Sequence, residues 1–186
     1  MISALALLLG LALGGSASAG ELLIQGARLW DGTGAAPVQG VDVRVEGERI
    51  TQVGPDLPVP EGATVIDGAG ATLLPGLIDS HVHLSMDPGA AWRQDTLQEH
   101  TELLRRSMAA YLACGVTTVL DPAVSEDNLK LIRELIDGGA PGPHYLTLGT
   151  PFSPDGGYPA AVVPGLPMVG SAADVERHFA DRKSVV

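Results

Sequence analysis

His81 and His83 stand one residue apart in the run Leu73-Leu74-Pro75-Gly76-Leu77-Ile78-Asp79-Ser80-His81-Val82-His83-Leu84. On a β-strand successive side chains alternate faces, so both imidazoles and the Asp79 carboxylate are expected on the same side. Neutral imidazole is the commonest metal ligand, and two of them on one rigid element are held together without loop entropy. His-x-His alone is a weak signal, because two histidines also occur in a strand by chance or line a core. The Pro-Gly-Leu-Ile-Asp lead-in and the change of pattern around it favour a metal site.

The elements that must carry this pair change character along the chain. From Glu21 to about Thr72 the pattern is short strands with turn residues between. Val41-Asp42-Val43-Arg44-Val45-Glu46 alternates strictly, and Gly47-Glu48 leads into Arg49-Ile50-Thr51-Gln52-Val53 as the second half of a hairpin. A stretch with Pro55, Pro58 and Pro60 ends it, and Ala63 to Asp67 resumes as strand, which predicts a small antiparallel sheet or sandwich over residues 20–72. From Leu73 the pattern becomes strand, helix, strand, helix. Leu73–Leu84 is read as a strand with its end loop. Thr96-Leu97-Gln98-Glu99 has the capping-box form, and Leu97, Leu104, Met108, Tyr111 and Leu112 recur at helical spacing up to Gly115. Val116 to Leu120 is a second strand. Ser125 caps a helix with apolar positions Leu129, Ile132, Leu135 and Ile136, closed by Gly138. His144 to Leu148 is a third strand, and Ser171 to Asp174 opens another helix. Alternation of this kind implies an α/β fold with a parallel sheet. The Gly- and Pro-rich stretch from Thr150 to Val169 reads equally as a substrate-covering loop or as disorder.

Composition narrows the function classes. The chain of 186 residues has room for one ordinary domain or one and a half, with 45% apolar and 18% charged residues, so it can bury a core. A net charge of −11 excludes nucleic acid as an expected partner, since that binding needs Lys and Arg to neutralise phosphates. Cys114 is the only cysteine, so no intrachain disulfide forms, and its place at the end of a helical pattern predicts a buried small hydrophobe.

Residues 1–19 are read as a signal peptide. Ala4 to Leu13 is too short an apolar run to span a bilayer, and Ala17-Ser18-Ala19 fits the small-residue cleavage pattern, leaving Gly20 as the new N-terminus. The missing Lys or Arg in Met1-Ile2-Ser3 departs from that pattern, and an uncleaved anchor or a buried helix is the alternative. The expectation is an exported protein, periplasmic or secreted, with no membrane span after cleavage.

Pro75-Gly76-Leu77-Ile78-Asp79-Ser80-His81-Val82-His83 resembles the first-strand signature of the metal-dependent amidohydrolase superfamily, and Gly115-Val116-Thr117-Thr118-Val119 resembles its second-strand segment. The preceding strands are similar to the first part of that family's small β-sandwich. The texture is closest to the imidazolonepropionase-like and Xaa-Pro-dipeptidase-like branches. The resemblance implies an incomplete (β/α)8 TIM-type barrel over residues 73–186, with one or two divalent metals, zinc by default, at its C-terminal mouth. His81 and His83 would be the metal ligands, and Asp79 would orient one imidazole through its second ring nitrogen. The implied chemistry is metal-assisted attack of water on an amide, peptide or cyclic amide of a small-molecule or peptide substrate.

By the same resemblance His100 and His178 are expected to be surface or packing residues, and His144 lies at the wrong end of its strand. Asp121 ends the second strand, where active sites are built, yet an Asp before Pro122 is equally a turn residue. Tyr158 is a further candidate substrate contact. The family also uses a carboxylated Lys or a Glu, two later His and a late general-base Asp that the resemblance does not find here. The residues from Leu73 onward are fewer than half of the about 250 that a complete barrel takes. Asp181-Arg182-Lys183-Ser184-Val185-Val186 can be read as the translation of a sequencing-library adapter, so these six residues are expected to be artefactual and the native chain to continue beyond Ala180. Two readings stay open: an N-terminal fragment of a metal-dependent hydrolase of carbon–nitrogen bonds, inactive by itself, and a non-catalytic metal-binding or interaction fragment or decayed gene product. The oligomeric state is not legible.

Overall fold

A computed structural model describes residues 20–85, 97–158 and 166–182. The expected signal peptide, the Thr96 of the capping box and the last four residues lie outside them. The chain divides between Gly76 and Leu77 into two compact units.

The first unit is one five-stranded sheet made of β1 (Glu21–Leu29), β2 (Val38–Glu46), β3 (Arg49–Gly54), β4 (Thr64–Asp67) and β5 (Thr72–Leu73). The order is β3-β2-β1-β4, and β5 also pairs with β1. The β2–β3 hairpin closes through Gly47-Glu48 with Gly47 at φ 61°, the positive-φ first position that a primed two-residue turn requires. The sheet is mixed rather than antiparallel, because β4 and β5 both run parallel to β1. Strand β1 runs unbroken from Glu21 to Leu29, with its register against β2 shifting between Ile24 and Ala27 and again between Ala27 and Leu29. Asp42, on the polar face of the alternation, is nevertheless buried. Its carboxylate accepts the Gly26 amide at 2.7 Å and the Leu57 amide at 2.9 Å, which offsets its desolvation. Ile24, Ala27, Val41 and Val43 form the apolar cluster of this unit.

The second unit holds a parallel three-stranded sheet, β6 (Leu77–Asp79), β7 (Val116–Asp121) and β8 (His144–Thr147), in the order β6-β7-β8. Helix α1 (Leu97–Ala113) connects the first two strands and α2 (Glu126–Asp137) the next two. Short strands β9 (Ser153–Pro154) and β10 (Met168–Val169) pair in parallel, and α3 (Ala172–Arg182) follows. The stretch from Thr150 to Val169 therefore has strand pairing of its own, although 159–165 lie outside the described residues. Leu84, Leu104, Met108, Val124, Leu129, Ile132 and Leu135 form the core.

Helix α2 follows its sequence closely except at Ile136, which was expected on the apolar face and is exposed. The Ser125 hydroxyl accepts the Asn128 amide at 3.3 Å, Glu126 and Asp127 occupy the positive end of the helix dipole, and Leu129, Ile132 and Leu135 are buried. Its C-cap is Gly138, but the left-handed conformation falls one residue later, on Gly139 at φ 77°. Two further expectations are corrected. The strand read from Leu73 begins at Leu77, since Leu73 pairs with Leu29 of β1. Cys114 is exposed, not buried; it lies one residue past the end of α1, where the helical pattern no longer fixes its side chain toward the core.

Candidate metal centre

Strand β6 ends at Asp79, β7 at Asp121 and β8 at Thr147, so three parallel strands bring these residues to the same end of the sheet. Active sites of α/β folds are built at this end. Beyond Asp79 the chain stays tied to β7, with the Val82 amide donating to the Leu120 carbonyl at 3.0 Å. Alternation persists through this extension although the strand itself has ended. Val82 and Leu84 are buried, while His81 is exposed and His83 half-buried. The His81 and His83 rings meet edge to face with centroids 5.3 Å apart.

Asp79 bonds to the main chain. Its Oδ1 accepts the backbone amide of His81 at 3.1 Å, a turn in which a short carboxylate bonds the backbone two residues on. It thus acts on the main chain that carries the first histidine. The carboxylate that faces an imidazole is Asp121, whose Oδ1 lies 3.6 Å from His83 Nδ1. That distance is beyond a hydrogen bond. His83 Nδ1 is nonetheless shut off from solvent and has no hydrogen-bond partner, a deficit that costs about 1–3 kcal/mol when left unmade.

Asp121 is wholly buried, and it is at once the last residue of β7 and a turn residue. As a turn residue its Oδ1 accepts the Ala123 amide at 3.0 Å; as a strand-end residue its Oδ2 accepts the Leu84 amide at 3.2 Å and the Tyr145 hydroxyl at 3.1 Å. Its backbone carbonyl accepts the Thr147 hydroxyl at 2.8 Å. Burial, and after it the Asp121 charge, pushes the Tyr145 phenol far above its ordinary range. Burial also raises Tyr111 on α1, with Asp79 and Asp121 adding to it. The raised pKa keeps the Tyr145 hydroxyl protonated as the donor to Asp121. Tyr145 and Thr147 were not singled out from the sequence. Their signal was the period of two in β8, which sets both on one face beside the strand that ends in Asp121.

The remaining candidates lie elsewhere. His100 Nε2 is 3.0 Å from Asn128 Oδ1 and links α1 to α2. His144 is exposed at the opposite end of β8. His178 stacks on Phe152, centroids 6.4 Å apart, in a cleft of about 560 Å³ bounded by α2, the end of β8 and α3. Neither His81 nor His83 lines that cleft, and Tyr158 is 82% exposed.

A divalent metal fits His81 and His83 as donors: two adjacent imidazoles stand at a strand end, and one has its inner nitrogen turned to a buried carboxylate. Among the described residues no group of three or more His, Cys, Asp or Glu side chains is gathered closely enough to hold an ion. The candidate donors among the described residues are therefore His81 and His83.

The model of the amidohydrolase family matches residues 72–179. The chain belongs to the amidohydrolase family. It is similar to the dihydroorotase of Geobacter sulfurreducens, 45% identical over 79 residues that make up 40% of this chain and 17% of that protein. With the dihydroorotase of Mycobacterium leprae it is 43% identical over 113 residues, 59% of this chain and 24% of that one. Among solved structures, a Xaa-Pro dipeptidase with bound methionine in the active site matches with a TM-score of 0.72 at 20% identity, over 89% of this chain and 45% of that chain. A prolidase complexed with N-methylphosphonate-L-proline matches at 0.70 and 22%, over 88% and 44%. These two likenesses bear on the fold alone. The chain spans about a fifth of the two curated relatives and under half of the two solved chains.

Proposed function

We propose that this chain supplies the first metal-binding segment of an exported, zinc-dependent hydrolase of carbon–nitrogen bonds. Its parallel sheet is the opening of a (β/α)8 barrel and its five-stranded sheet part of a small β-sandwich. The supporting observation is the His81–His83 pair, edge to face at the C-terminal end of the sheet within the segment that matches the amidohydrolase model. A divalent ion bound there supplies Lewis-acid polarisation of a carbonyl and lowers the pKa of water.

The chain's own residues do the positioning. His81 and His83 hold the ion, and Asp79 fixes the backbone between strand and first ligand. The buried Val82 and Leu84 anchor the segment, so the rings are presented on rigid structure. The substrate is a small-molecule or peptide amide. The dihydroorotase likeness directs attention to dihydroorotate, and the resemblance of the sequence to the Xaa-Pro-dipeptidase-like branch to peptide bonds next to proline.

The test uses the longest reading frame that carries this chain, purified after secretion with its N-terminus determined. It is assayed with zinc on dihydroorotate and on Xaa-Pro dipeptides. Hydrolysis of one class that chelation abolishes, by a protein starting at Gly20, is expected. Chelator-resistant hydrolysis, or a product that retains residues 1–19, contradicts the corresponding part.

A further inference from the structure

We propose that Asp121 is the positioning residue for His83: its buried carboxylate holds the ring by Nδ1 so that Nε2 is presented to the metal. This assignment depends on the metal reading above and gives to Asp121 the part the sequence had suggested for Asp79.

An ionised carboxylate has about four acceptor positions. In Asp121 the Leu84 amide and the Tyr145 hydroxyl occupy Oδ2, and the Ala123 amide occupies one position on Oδ1. One position on Oδ1 is left, and it is this oxygen that lies 3.6 Å from His83 Nδ1. The histidine shows the complementary deficit: Nδ1 is buried and lacks a partner. A small tightening satisfies both groups at once. A proton on Nδ1 leaves the Nε2 lone pair free, on the opposite edge of a side chain that is 35% exposed.

A carboxylate serving only the turn would need the Ala123 amide and nothing more. Asp121 is instead gripped by the extension after β6 through Leu84, by its own loop through Ala123 and by β8 through Tyr145. The orientation of the His83 ring is thereby referred to all three strands. Asp79 is engaged with the His81 amide and fixes main chain rather than a ring.

The direct test is the tautomer of His83 in the folded, metal-free chain. It is read by two-bond proton–nitrogen-15 correlation above the ordinary histidine pKa of about 6.5, the resonances being assigned by their loss in His83→Gln. A predominant Nδ1–H form is expected, and a predominant Nε2–H form overturns the proposal without any change to Asp121. Zinc titration of Asp121→Asn adds a second reading, with affinity expected to fall about 10–100-fold. An unchanged affinity overturns the proposal; if this variant does not fold, the tautomer decides alone. Should His81→Ala and His83→Ala both leave zinc binding intact, the metal reading itself fails. A loss of binding in those two variants, together with an Nε2–H His83, removes only Asp121.

Discussion

Tyr145 and Asp121 share a part-buried hydrogen bond of 3.1 Å, and the phenol's proton is what makes that contact attractive. Burial and the neighbouring carboxylate both disfavour the phenolate, so the folded pKa stands above the unfolded value of about 10. A raised folded pKa means that this contribution to stability is fully present below about pH 10 and is lost as pH rises through the folded value. Tyr145→Phe is expected to cost about 1.5–3 kcal/mol at neutral pH, the range for a hydrogen bond to a charged group, and to flatten the alkaline loss. Urea unfolding at neutral pH and in a series above pH 10 checks both; an unchanged alkaline slope would count against the coupling. At this scale the sequence displayed the ligands but not their supports. His81 and His83 are visible because their spacing is local. The link from Asp121 to His83 and Tyr145 is not, because 38 and 24 residues separate chain positions that only strand pairing brings together.

Elements were legible where the signal lay inside the element. Helix α2 carries its own cap and apolar stripe, and the cap and the stripe through Leu129, Ile132 and Leu135 recur in the structure, while Ile136 is exposed. Ser125→Ala is therefore expected to destabilise the chain by about 1 kcal/mol, and Met108→Ala, which empties a fully buried site on α1, by about 2–5 kcal/mol. Equilibrium denaturation with unchanged far-ultraviolet circular dichroism checks the pair; equal effects would contradict the roles given to cap and core. The strand carrying the site was harder to delimit. Leu73-Leu74-Pro75-Gly76-Leu77-Ile78 is nearly continuous in apolar character, and a run of that kind has no period to mark where one element stops. The break falls at Pro75-Gly76, and pairing of Leu73 with β1, which no local pattern reports, assigns the residues before it to the first unit. The same limit explains the mixed sheet. Strand direction in β4 and β5 depends on where the connecting turns deliver the chain, not on the residues within the strands.

For the molecule as a whole, the α/β order and the change of pattern near residue 73 were readable because helix and strand periods differ. Membership of the amidohydrolase family agrees with the α/β order. Among the described residues no helix is long and apolar enough to cross a membrane. The central claim is that His81 and His83 bind a metal ion. The most direct measurement is an equilibrium zinc titration of the purified chain beside His81→Ala and His83→Ala, with folding of all three verified by circular dichroism. The account predicts zinc binding by the parent chain and its loss in each variant. Folded variants that bind zinc as tightly as the parent would contradict it.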